Sequence, residues 1–256
     1  MGGGGKVNAA PLLQVVELSK SFGGVQAVSR VTFDLHKGEL LGIIGPNGSG
    51  KTTTVNLITG FVKATSGSVI YQGRDITSWA PHKIVRLGIA RTFQMVKPFY
   101  QLPAFKNIII PLYSPRVKQL VGGKYGDRSA VALDLLEEVG FERDAQVAYK
   151  VASVLPQGYL KRLELAKAIA LQPDLIILDE LFSGLSLAEV ASIVPIIEKL
   201  LVAGKTIIMI EHRLKEVFRI AHRVVVLNYG RLIANGPSKE VMENEEVKKA
   251  YLGSED

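Results

Sequence analysis

The chain has 256 residues, 47% of them hydrophobic and 21% charged, and it contains no cysteine. That balance excludes a largely disordered chain, and the missing cysteine excludes disulfides, thiolate metal cages and thiol catalysis. Thirty-one Lys and Arg against 24 Asp and Glu leave a net charge of +7, which suits an anionic ligand, nucleic acid or a lipid surface without choosing among them.

Residues 1–10 read as a flexible leader around the glycine run at 2–5. No apolar secretory core follows Lys6, so the chain is expected to stay in the compartment where it is made. Mean hydropathy is +0.21, yet no run of about 18 uncharged apolar residues is available to span a bilayer. Residues 11–256 read as one domain. Short apolar runs at 31–35, 40–44 and 69–72, and again at 175–178, 206–210 and 224–227, fit strands. The fully apolar ones fit strands buried on both faces.

Helical signals separate these runs. Ser129 is expected to cap a helix with Val131, Leu135 and Val139 on one face and Gly140 at its end. Leu163, Ala166 and Ala170 make another stripe, stopped before Pro173. Ser186 and Glu189 match a capping box for a helix through Leu201, which Pro195 should kink. The alternation predicts a mainly parallel α/β sheet. Strand signals thin out over about 95–160, which reads as an inserted helical subdomain.

Gly45-Pro46-Asn47-Gly48-Ser49-Gly50-Lys51-Thr52 satisfies G-x-x-x-x-G-K-[ST], with a strand before it and a helix after it. Glycines let successive backbone N–H groups curl around phosphate oxygens, and the helix N-terminus adds positive potential. Lys51 can reach the β- and γ-phosphates, and the Thr52 hydroxyl can ligate Mg²⁺. Residues 45–52 with Thr53 are therefore the candidate ATP-binding set.

The apolar run at 175–178 ends in Asp179-Glu180. Strand neighbours point to opposite faces, so the two carboxylates should have different tasks. One can hold Mg²⁺ and the other can orient an attacking water. Glu211-His212 follows the run at 206–210 and places a histidine where it could sense a γ-phosphate. His36, His82 and His222 have no such placement and read as surface or structural residues.

Together these motifs resemble the ATP-binding subunit of an ABC transporter, over nearly the whole chain. The resemblance implies an α/β P-loop NTPase core, a small antiparallel β subdomain and an inserted helical subdomain that meets the membrane partner. It implies that Phe22 stacks on adenine and that Gln94, in Arg91-Thr92-Phe93-Gln94, contacts Mg²⁺ and the attacking water. It also makes Asp179 the magnesium carboxylate, Glu180 the catalytic glutamate and His212 the switch histidine. Residues 81–94 look like the branched-chain amino acid import branch. The tail Ala250-Tyr251-Leu252-Gly253 fits that branch and its lipopolysaccharide-export relative.

The family signature, L-S-G-G-Q or L-S-Y-G-Q, is altered here to Leu155-Pro156-Gln157-Gly158-Tyr159. Proline removes both the hydroxyl and the N–H that the signature aims at a γ-phosphate, although it suits the first position of a helix. The resemblance implies an ATP hydrolase on the cytoplasmic face of the membrane, held there by transmembrane permease subunits and paired with a second ATP-binding subunit. The altered signature favours a heterodimer. It also leaves open a regulatory module with little hydrolysis. Nucleic acid is not an expected partner, because the extra domains of soluble relatives that bind it are not visible. Permease docking is expected over 93–105, where Val96, Phe99, Tyr100, Leu102 and Phe105 gather around Pro98 and Pro103.

Overall fold

The computed structural model describes residues 10–120, 126–142 and 146–252; residues 1–9 of the expected leader and Gly253 of the tail lie outside them. The chain opens with an antiparallel hairpin, β1 (Leu13–Phe22) and β2 (Val25–Leu35). Next come β3 (Leu40–Ile44), α1 (Lys51–Ile58), β4 (Ser66–Tyr71), β5 (Arg74–Asp75), α2 (Pro81–Leu87) and β6 (Ile89–Arg91). A helical stretch follows, with α3 (Ala104–Leu112), α4 (Pro115–Leu120), α5 (Arg128–Glu138) and α6 (Gln157–Ala170). Then β7 (Leu175–Asp179), α7 (Leu187–Val202), β8 (Thr206–Ile210), α8 (Leu214–Ile220) and β9 (Arg223–Asn228) alternate. The end is β10 (Arg231–Pro237), α9 (Ser238–Glu243) and α10 (Glu245–Leu252).

The strands form two sheets. The smaller is antiparallel, in the order β2-β1-β4-β5. The larger runs β10-β9-β3-β8-β7-β6 and is parallel apart from β10, which turns back on β9. Every residue of β3, β7 and β8 is buried, as expected for strands covered on both faces. The pleat sorts their side chains between two cores. Ile44, Ile176, Leu178, Ile207 and Met209 join the cluster built with α3, α5, α6 and α7. Leu41, Ile43, Leu175, Ile177, Ile208 and Ile210 join the cluster with α1 and the antiparallel sheet. Because β3, β7 and β8 are parallel, their carboxyl ends share one edge, where open α/β sheets place their ligands.

Local details correct two expectations. The cap of α5 is Asp127, whose carboxylate accepts the Ser129 N–H at 2.8 Å, so the acid two residues earlier takes the task assigned to Ser129. Its inward face is Ala132, Leu136 and Val139, while Val131 and Leu135 are only partly buried. The core lies on the side of the 132/136/139 spacing, and the larger flanking residues sit at its rim. The α7 capping box does form. Ser186 Oγ accepts the Glu189 N–H at 3.3 Å, and Glu189 Oε2 accepts the Ser186 N–H at 2.8 Å. The helix runs on through Pro195 to Val202.

Candidate functional site

In the loop between β3 and α1, two glycines stand where a side chain has no room. A Cβ at Gly45 would sit 2.1 Å from the Leu227 carbonyl, and one at Gly50 would sit 2.6 Å from the Ala27 carbonyl. Gly50 caps α1 in the left-handed region at φ 99°. Lys51 is buried, and its Nζ donates to the Gly45 and Pro46 carbonyls at 2.8 and 2.9 Å. Burial lowers its pKa, opposed by the charges of Glu180 and Asp179. The Ser49 hydroxyl is buried without a hydrogen-bond partner. Asn47, Gly48 and Thr52 are exposed and Thr53 is half-buried. Residues 48–53 and Ala27 line a hollow of 140 Å³.

Asp179 ends β7 and is buried. Its Oδ2 accepts from Arg91 Nη2 at 2.6 Å, whereas Oδ1 has no partner. Glu180 lies beyond the strand at φ 49°, so a left-handed turn and not strand alternation separates the two acids. That corrects the reason expected for their different directions. A non-glycine residue held in this region is strained, and such positions cluster at working sites. The turn is pinned by the Glu180 N–H, which donates to the Ile210 carbonyl at 2.9 Å.

The Glu180 carboxylate is gripped from both sides. Gln94 Nε2 donates to Oε2 at 2.6 Å, and His212 Nε2 lies 2.9 Å from Oε1. Against an ionised carboxylate, which only accepts, Nε2 of His212 would be the donor. Gln94, Glu180 and His212 come from three separate chain segments and form one linked set.

Three residues that sequence reasoning passed over hold this set. Lys161 is 1% exposed, and its Nζ donates to the backbone carbonyls of Gln94 and Glu180 at 2.9 and 3.0 Å. Burial lowers its pKa against the pull of Glu211 and the other nearby acids. Its sequence signal was a lysine on the inward stripe of α6, with Gly158 and Leu165. Glu211 is also buried, and its Oε1 accepts the Phe182 N–H at 2.7 Å. Burial pushes its pKa up to about 7. Asn107 binds the Phe99 N–H at 2.7 Å and donates to the Phe99, Leu102 and Pro103 carbonyls, which braces the loop after Gln94.

Thr52, Gln94 and Asp179 line one groove of 680 Å³. An exposed hydroxyl, an amide and a buried carboxylate oxygen without a partner are oxygen donors of the kind Mg²⁺ takes, so these residues fit the ion. Phe61, Phe93, Met95, Phe99 and Ile110 line the same groove and are exposed. Tyr100 is exposed as well, whereas Phe105 packs on the core and against the Tyr149 ring at 5.4 Å.

Phe22 stands half-exposed at the β1–β2 turn, with the Lys20 ammonium 4.9 Å above its ring centre. In the 155–159 stretch, Leu155 is buried and Pro156 is the cap of α6, one position before the first helical residue where it was expected. Gln157 is exposed. Gly158 is buried, and a Cβ there would meet Glu189 Oε1 at 2.5 Å. Tyr159 turns inward, edge-on to Phe141 at 5.0 Å. His222 Nδ1 accepts the Leu40 N–H at 3.0 Å, a structural role, and His36 Nε2 lies 3.0 Å from Asp34.

A family model described as ABC transporter matches residues 28–183, and one described as branched-chain amino acid ATP-binding cassette transporter matches residues 231–256. The chain is 35% identical over 253 residues to the high-affinity branched-chain amino acid transport ATP-binding protein LivG of Salmonella typhimurium, covering 95% of this chain and 98% of that protein. It is 31% identical over 245 residues to the lipopolysaccharide export system ATP-binding protein LptB of Escherichia coli, covering 95% and 98%. Among solved structures, the ADP conformation of an ATP-binding cassette of an ABC transporter superposes with a TM-score of 0.84 at 30% identity, covering 96% of this chain and all of that one.

Proposed function

The chain belongs to the ABC transporter ATP-binding family, and from that membership we propose that it binds MgATP at residues 45–53 and powers import of branched-chain amino acids or similar small amphipathic solutes. It is an ATP-hydrolysing subunit that works with transmembrane permease subunits and a second ATP-binding subunit. Among the described residues no helix is long and apolar enough to cross a membrane, and the membrane-transport relatives support a peripheral association. We place it on the cytoplasmic face. The family match over residues 231–256 supports the solute class, and the LptB relative supplies the export alternative.

The observation that carries the hydrolytic role is the Glu180 carboxylate held between Gln94 and His212. Lys51 exchanges the Gly45 and Pro46 carbonyls for β- and γ-phosphate oxygens, and the loop N–H groups take the rest. Phe22 stacks on adenine. Glu180 orients a water on the γ-phosphorus and accepts its proton; the new P–O bond forms as the bridging bond breaks, releasing ADP and inorganic phosphate. His212 holds Glu180 and faces the γ-phosphate. Thr52, Gln94 and Asp179 hold Mg²⁺, which when bound neutralises phosphate charge.

We further propose a heterodimer. Pro156 offers no N–H and Tyr159 is packed inward, so this chain presents a weakened signature to a partner's phosphate loop. Losing one preorganised donor commonly costs about 10²–10³ in rate. A homodimer would carry that loss twice, whereas a partner with an intact signature completes the site on this chain's loop. The apolar groove beside Gln94 is the docking place for the permease. The test is Glu180→Gln in the assembled transporter, with the partner's equivalent glutamate changed separately. Abolished ATPase from Glu180→Gln alone supports both readings. Unchanged turnover refutes them and leaves the regulatory module.

A further inference from the structure

Arg91, the last residue of β6, has no part in the hydrolytic scheme above, yet its side chain is 6% exposed and both terminal nitrogens are committed, with Nε buried and unpartnered. Nη2 donates to Asp179 Oδ2 at 2.6 Å. Nη1 donates to Asn56 Oδ1 at 2.7 Å and Thr59 Oγ1 at 3.2 Å. Asn56 lies on α1 and Thr59 caps its end, so one guanidinium ties the β7 acid to the helix that begins with Lys51 and Thr52. The planar fork of arginine sets two separate nitrogens against acceptors on two elements, a spread that the single nitrogen of lysine does not offer. Its carbon centre lies 5.2 Å from the Phe93 ring centre and 5.8 Å from that of Phe61. Those two rings meet edge-to-face at 5.6 Å and line the groove together with Arg91 and Asp179.

A buried ion pair of this kind seldom adds net stability, because desolvating two charges offsets their attraction. What it does here is geometric. Arg91 takes one oxygen of Asp179 and leaves Oδ1 buried and unpartnered. We infer that Arg91 is a positioning residue for metal binding: it holds the Asp179 carboxylate by Oδ2 and presents Oδ1 alone to the ion, in fixed register with Thr52 on α1. This rests on the reading of Asp179 as the Mg²⁺ carboxylate. Partners that orient a metal ligand typically contribute about 10–100-fold to metal affinity.

The test compares ATP affinity of the full chain in Mg²⁺ and in EDTA, with Mn²⁺ binding in the presence of ATP followed by electron paramagnetic resonance. Arg91→Gln is expected to cut the Mg²⁺-dependent gain in ATP affinity roughly tenfold or more, and Mn²⁺ affinity in parallel, with affinity in EDTA unchanged. Asn56→Ala loosens Arg91 without removing the charge pair, and it should lower the same gain by less than Arg91→Gln does. It carries the test if Arg91→Gln does not fold. Asp179→Asn separates the two readings. If it leaves the Mg²⁺ gain intact, the assignment of Asp179 fails. If it removes the gain while Arg91→Gln and Asn56→Ala do not alter it, positioning by Arg91 is overturned. Equal losses in Mg²⁺ and EDTA from both variants overturn it too, because they report a merely structural role.

Discussion

Replacing Lys161 by Met tests whether a buried ammonium holds the hydrolytic set together. The side chain is 1% exposed and makes two charge-assisted hydrogen bonds, to the Gln94 and Glu180 carbonyls. Hydrogen bonds to charged groups contribute about 1.5–3 kcal/mol each, and the removal strands two carbonyls. Sparing the desolvation of the ammonium returns part of that loss. The net cost should be about 2–4 kcal/mol, which for a chain of this size lowers Tm by about 4–16 °C. The functional effect is separable. Lys51 and its loop are untouched, so ATP affinity should hold within about twofold, while hydrolysis falls about 10–100-fold because displacement of Glu180 and Gln94 spoils the alignment of the water. Differential scanning calorimetry, ATP titration and steady-state ATPase of the assembled transporter measure the three quantities. An unchanged Tm with normal turnover would refute the reasoning, and so would loss of ATP affinity in step with turnover.

Lys51→Ala should abolish the thermal shift that ATP gives the native chain, which at a hundredfold excess over Kd corresponds to about 2.7 kcal/mol. Equal shifts in both proteins would dismiss the loop. Glu211 has its folded pKa raised by burial from 4.5 to about 7, so folding favours its protonated form. That stability is present below the unfolded value and fades as pH rises from 4.5 through 7, amounting to roughly 3 kcal/mol. Glu211→Gln should therefore gain in Tm on the wild type between pH 5 and pH 8; a pH-independent difference would contradict the burial of that acid. A photocrosslinker at Phe99 should capture the permease, whereas one at Val202, 91% exposed on the far end of α7, should not.

The sequence by itself determined the parallel core and pointed to the candidate site. Runs such as Leu40–Ile44 and Thr206–Ile210 are apolar at every position because both faces are covered, and a pattern with no polar break is read without knowing the neighbours. The loop at 45–52 was legible from its motif spacing alone, although the crowding that excludes a side chain at Gly45 and Gly50 comes from the distant Leu227 and Ala27 carbonyls. The hairpin strand β1 was not legible. Bulges between Val15 and Lys20 and a positive φ at Glu17 break the period of two on which a half-buried strand is recognised. Nor could local pattern tell Asp127 from Ser129 as a cap, because both are good acceptors and the backbone path decides.

Tertiary structure alone decided how the site is held. Gln94, Glu180 and His212 lie far apart in sequence and meet because the parallel strands β6, β7 and β8 bring their carboxyl ends to one edge, where α6 adds Lys161. Whether Lys161 points to water or to two buried carbonyls depends on the face of α6 that the core takes. Whether Asp179 keeps a free oxygen depends on where Arg91 is anchored on α1. Sequence names residue types at motif spacing, whereas hydrogen bonds form at 2.6–3.0 Å between groups whose separation only the packed chain sets.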